Sequence, residues 1–84
     1  MIDDSAIAEI LLGKEKFPLI VALKNAFGSF HIDVRHWYTS NKNGKLLPGK
    51  GIMLKSTAWP ETMKAIESLI KESNESGYSK TLNP

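Results

Sequence analysis

The sequence predicts an α+β domain: a strongly curved antiparallel sheet of about four strands, then a helix, with a short helix ahead of them. Three observations carry this. Phe30 to Tyr38 opens with strict alternation, Phe30, Ile32 and Val34 on one face and His31, Asp33, Arg35 and Trp37 on the other, which is the period of a half-buried strand. Asn43-Gly44, after Thr39-Ser40-Asn41-Lys42, is a strong short-range hairpin signal. Trp59, Met63, Ile66 and Ile70 then repeat at helical spacing, and Ala58, Ala65 and Leu69 widen that stripe.

The elements follow in order along the chain. Asp3 to Leu12 is expected to be a short helix, because Ile7, Ile10 and Leu11 fall at i, i+3, i+4, Asp3, Asp4 and Ser5 offer capping oxygens, and Gly13 offers a stop. So short a helix must dock to persist. Phe17 to Leu23 is a strand with Pro18 near its start. Ala26-Phe27-Gly28-Ser29 is a hairpin turn in which Gly28 supplies a positive φ. Lys45 to Leu47 and Gly51 to Lys55 are short strands flanking a Pro48-Gly49-Lys50 loop. The long helix starts at Ser56 or Thr57 and runs to about Lys71, with Pro60 in its first turn, where its missing N–H costs nothing. The expected organisation is a helix over 1–13, the main domain over 14–72, and a polar, mobile tail over 73–84.

Composition narrows the function. At 84 residues the chain is one domain, and it has no Cys for a disulfide or a thiolate metal site, so dimerisation is the expected source of extra buried area. Net charge is only +2, but Lys14, Lys16, Lys24, Arg35, Lys42, Lys45, Lys50 and Lys55 crowd residues 14–55 against Glu15 and Asp33 alone. The other acids collect at the two ends. A basic middle is the footprint of a nucleic-acid partner. No apolar run reaches the roughly 18–20 residues that span a membrane, and Asp3 and Asp4 oppose a signal peptide, so an intracellular protein without a membrane partner is expected.

Arg35 with Trp37 and Tyr38 carries the chemistry. A single strand needs cations for its phosphates and flat rings for its unstacked bases. The residues by themselves equally allow Trp37 and Tyr38 as core or dimer-contact rings with Arg35 as a surface cation. His31 and Asp33 share a face that His36 does not, so three metal ligands fail to converge. With no phosphate loop, Ser/His/Asp order or carboxylate pair, neither an enzyme nor a cofactor is expected.

The run Ile32-Asp33-Val34-Arg35-His36-Trp37-Tyr38, then Leu47-Pro48-Gly49-Lys50-Gly51-Ile52 and Trp59, resembles the single-stranded-DNA-binding domain of the transcriptional positive cofactor four family over approximately residues 30 to 66. The resemblance implies sequence-tolerant binding of single-stranded or melted duplex DNA in transcription, replication or recombination. It implies Lys24, Phe27, Arg35, Trp37, Tyr38, Lys45 and Lys50 as DNA-binding residues. It also implies a homodimer through the helix, and the apolar band of Trp59, Met63, Ile66, Leu69 and Ile70, wider than a small sheet needs, points to the same contact; polymerase or recombination proteins are candidate further partners. The chain departs from the family in three places. Trp37-Tyr38 reverses the family's Tyr-Trp order, so alternation puts Trp37 beside Arg35 while alignment puts Tyr38 at the stacking position. Leu47 stands where members tend to have Lys, with Lys45 as compensation, and Phe27 is offset by one residue. The chain looks like a minimal form, prokaryotic or viral and acting in cytoplasm or nucleoid; a eukaryotic member would be nuclear. Two rivals remain: a sequence-specific regulator of duplex DNA, and an adaptor presenting Trp37 and Tyr38 to a polymerase or recombinase.

Overall fold

The computed structural model describes residues 1–13 and 17–76. Strands β1 (Ala8–Leu12), β2 (Leu19–Ala26), β3 (Ser29–Thr39) and β4 (Leu46–Lys55) form one antiparallel sheet in sequential order. A 3₁₀ turn at Ser56–Ala58 leads into helix α1 (Trp59–Ser76). The α+β class and the strand count match expectation, but two of the four strands arise differently.

The expected N-terminal helix is absent, and its segment forms β1. Asp3 does cap, but it caps a single turn. Its Oδ1 accepts from the Ser5 amide at 3.0 Å and the Ser5 hydroxyl at 2.6 Å, and its carbonyl accepts from the Ala6 amide at 3.0 Å. Ile7 then donates to the Leu23 carbonyl at 2.7 Å, and Ala8 to Leu12 pair with Leu23 to Leu19. Pairing to a long neighbouring strand satisfies backbone groups that an isolated ten-residue helix would leave marginal.

The second difference is at Pro48-Gly49-Lys50, which is not a loop between two strands but the middle of one continuous β4. Pro48 is tolerated because β4 is an edge strand. The β3–β4 register slips between Arg35, opposite Gly51, and Trp37, opposite Pro48, so Gly49 and Lys50 together face His36 as a bulge.

The β2–β3 connection is a two-residue turn in which Phe27 (φ 53°) and Gly28 (φ 79°) are both left-handed, as the twist-matched hairpin turn requires. Between β3 and β4, Ser40 donates to the Lys45 carbonyl at 2.7 Å and Asn43 Oδ1 accepts from the Lys45 amide at 3.0 Å. Helix α1 runs five residues beyond Lys71, so the expected tail boundary at 73 lies inside it; residues 77–84 fall outside the described residues. No helix among the described residues is long and apolar enough to cross a membrane.

The two faces of the sheet are unlike. One carries Ile20, Ala22, Lys24, His31, Asp33, Arg35 and Trp37, with Gly51 and Met53 opposite the last strand. The N-terminal turn folds over its apolar end, where Ala6, Ile20, Ala22 and Trp37 form the small core and Ile2 and Leu46 pack at its margin. The other face presents Val21, Ile32, Val34 and Ile52 toward α1. Trp59 anchors the helix there, 9% exposed, its indole N–H donating to the Ile32 carbonyl at 2.9 Å. Beyond that anchor the helix does not close on the sheet: a cleft of about 470 Å³ lies between Val21, Ile32, Val34 and Ile52 and the side chains of Met63 and Ile66.

Candidate nucleic-acid interface

Alternation along β2 and β3 places Lys24, Asp33 and Arg35 on one face, and the N-terminal turn adds Asp3. The four groups form a continuous chain of ion pairs. Lys24 Nζ lies 2.7 Å from Asp3 Oδ2 and 3.2 Å from Asp33 Oδ2. Arg35 Nε donates to both Asp33 oxygens at 2.8 and 2.7 Å, Nη2 donates to Oδ1 at 2.7 Å, and Nη1 donates to the Gly49 carbonyl at 3.1 Å. Asp33 is 1% exposed, so its charge is held by these cations rather than by water. Burial pushes the Asp33 carboxyl up, but the hydrogen bonds from Arg35 and Lys24 outweigh it and leave its pKa below the ordinary value. The same balance lowers Asp3, where burial opposes the bonds from Lys24 and Ser5. Lys24 is raised, its two carboxylates overcoming burial, and Arg35 is raised chiefly by its bonds to Asp33.

Two cations expected to meet phosphate are thus matched by two internal carboxylates. Lys42, Lys45, Lys50 and Lys55 are exposed, Lys50 in the bulge and Lys55 at the end of β4. Lys14 and Lys16 lie outside the described residues.

The bulge explains the two glycines. A Cβ on Gly51 would collide with the Arg35 Cβ and the Val34 carbonyl, and one on Gly49 would lie 2.9 Å from the His36 carbonyl and 3.5 Å from Cδ1 of Tyr38. The close approach they permit is that of β4 to β3 and its side chains.

The three candidate rings have different surroundings. Trp37, on the Asp33–Arg35 face, is 6% exposed and belongs to the core with Ala6, Ile20 and Ala22. Tyr38, on the opposite parity, is 42% exposed beside Gly49. Phe27 is 94% exposed at the tip of the β2–β3 hairpin, its ring meeting only the edge of His31 at a centroid distance of 6.1 Å among the ring contacts of the described residues. A non-glycine residue with positive φ stores strain of about 1–2 kcal/mol. Here that strain holds out a ring that packs against almost nothing.

The expected site residues are therefore not all on one surface. Lys24, Arg35 and Trp37 share a face, Tyr38 and the Gly49–Lys50 bulge lie together at one end of β3, and Phe27 stands at the other. Of the expected dimer residues, Trp59 is spent on its own sheet, while Met63, Ile66, Leu69 and Ile70 are 43–65% exposed.

Sequence reasoning missed Asp3 and Glu9. Asp3 pairs with Lys24 across 21 residues, and the Glu9 carboxylate accepts from the amides of Ile2 at 2.9 Å and Asp3 at 3.0 Å, tying the N-terminal turn to β1. No local pattern announces either contact. His31 and His36 each donate from Nδ1 to a carbonyl, of Ser29 at 3.0 Å and of Phe17 at 3.2 Å.

Comparison of the chain with protein-family models, with curated proteins and with solved structures finds no significant match in any of the three.

Proposed function

We propose that this domain binds single-stranded or locally melted DNA without strict sequence preference, acting as a homodimer in transcription, replication or recombination. The observation that carries the reading is a pair of unburied rings at the two ends of β3. Phe27 stands on strained backbone at one end and Tyr38 beside Lys50 at the other, separated by roughly 30 Å of strand. Tyr38 with the exposed Lys50 of the adjoining bulge supplies the two contacts a single strand requires, stacking for its bases and charge for its phosphates, and Phe27 adds a second ring. Tyr38 takes the main stacking role because Trp37 is buried.

A second copy of the chain covers the remaining apolar surface. The exposed band of Met63, Ile66, Leu69 and Ile70 continues into the open cleft against Val21, Ile32, Val34 and Ile52, one continuous apolar surface for a second helix to meet.

Fluorescence anisotropy with single-stranded, bubble and duplex oligonucleotides at several salt concentrations tests the reading. Single strands and bubbles are expected to bind tighter than duplex of equal length. Tighter binding to one duplex sequence would replace it with the regulator, and absence of binding at low salt would replace it with the adaptor. In analytical ultracentrifugation at micromolar concentration a dimer is expected, with Leu69→Glu yielding monomers or aggregates; a monomeric wild type would remove the paired arrangement.

A further inference from the structure

We infer that Arg35 is a positioning residue of this interface and not one of its phosphate ligands: it clamps Gly49, and through Gly49 it sets the Tyr38 ring and the Lys50 amine side by side. The inference rests on the single-strand reading above and concerns how that site is built.

The clamp has two ends. At one, the guanidinium meets Asp33 through three donor–acceptor contacts of 2.7–2.8 Å, and Asp33, 1% exposed and also held by Lys24, cannot turn away. At the other, Nη1 donates to the Gly49 carbonyl at 3.1 Å, at the one place where the β3–β4 register slips. A bulge leaves local backbone groups without their ladder partner, so a side-chain donor there decides which conformation the bulge holds. Gly51, directly opposite Arg35, clears the path, since a Cβ at that position would collide with the Arg35 side chain.

The Tyr38 ring lies beside Gly49, its Cδ1 3.5 Å from where a Cβ at that position would stand, and Lys50 is the next residue. Fixing one carbonyl therefore fixes both members of a ring-and-cation pair. Three of the five guanidinium N–H groups are consumed internally, and the fork that would chelate a phosphate is already occupied by a carboxylate.

A double-mutant cycle on single-stranded DNA of mixed sequence decides between the roles. Arg35→Ala and Lys50→Ala are each expected to weaken binding and to reduce the slope of log affinity against log salt by about 0.7 per bound subunit, the value of one phosphate contact on a single strand. The double variant is expected to lose no more than Arg35→Ala alone, because Arg35 acts through Lys50 and Tyr38. Additive losses, with the slope falling by about 1.4, would show Arg35 to be a phosphate ligand. Asp33→Asn gives an opposite-sign check. A phosphate-binding Arg35 would be released from its competitor and bind more tightly, whereas a clamp that loses its anchor binds more weakly. Circular dichroism confirms that each variant compared is folded.

In the DNA-free protein, Arg35→Ala should also move the Gly49 and Lys50 amide resonances and the Tyr38 ring protons. Unchanged resonances there would overturn the clamp. A wild type that binds no single strand would remove the functional reading and this inference together, whereas additive losses in a wild type that binds would remove only the inference.

Discussion

Replacing the two adjacent rings of β3 separately should give opposite phenotypes. Trp37→Ala removes an indole that is 6% exposed and packed on Ala6, Ile20 and Ala22, and truncating such a buried aromatic costs about 3–5 kcal/mol. A domain of this length has a total stability of only about 4–13 kcal/mol at typical values per residue. At about 4–8 °C per kcal/mol for a small domain, the melting temperature should fall by roughly 12 °C or more. Tyr38→Ala removes a ring that is 42% exposed, so its cost to folding should stay near about 1 kcal/mol. Its cost to binding should be about 1–3 kcal/mol for one lost base stack, or about five- to 150-fold in affinity. Thermal melting followed by circular dichroism, and anisotropy with a single-stranded oligonucleotide at a temperature where each variant is folded, separate the effects. A Trp37→Ala protein that melts like the wild type but loses its affinity would reverse the assignment and refute the burial argument. So would a Tyr38→Ala protein that melts far lower while binding unchanged.

Three further outcomes follow from the same geometry. Phe27→Asn should raise stability by up to about 1 kcal/mol, since Asn accepts the left-handed φ of 53° and little packing is lost, yet weaken single-strand binding; melting and anisotropy on one preparation read both. Gly51→Ala should destabilise by about 1–3 kcal/mol, because the added methyl meets the Arg35 Cβ and the Val34 carbonyl, and urea unfolding measures it. The stability plateau should be bounded at both ends by the ion-pair chain. The folded pKa values of Asp3 and Asp33 lie below the ordinary value, so their contribution is present above about pH 4 and is lost as pH falls through the depressed values. The folded pKa of Lys24 is raised, so its contribution is complete below about pH 10 and is lost as pH rises through the raised value. Urea midpoints measured from pH 2 to 11 should show both falls, and Asp33→Asn should diminish them together.

Local rules were enough wherever a local pattern had a single structural solution. Period-two alternation marked β3, Asn43-Gly44 marked the turn before β4, and Pro60 ahead of a run of helix formers marked the start of α1. They misled where two solutions compete. Ile7, Ile10 and Leu11 fit a helix stripe, but the same segment instead pairs along one edge of β2, a contact to residues 19–23 that its own spacing cannot reveal. Pro48-Gly49-Lys50 has the composition of a loop, yet an edge strand tolerates the proline and a bulge absorbs the extra residue.

The sequence by itself determined the class of fold, the basic strand with its two rings, and the apolar helix that follows, because these depend on residues within one or two turns or strands of each other. The tertiary structure alone decided which ring is buried and which cation is free. Trp37 joins Ile20 and Ala22 in a core that the N-terminal turn closes with Ala6 and Ile2, and Lys24, already paired with Asp33, is held a second time because the same turn brings Asp3 within 2.7 Å. Tyr38, one residue further along the strand, points the other way and keeps its face to the solvent. Burial and charge pairing are properties of what the rest of the chain places nearby, and no spacing within β3 encodes that.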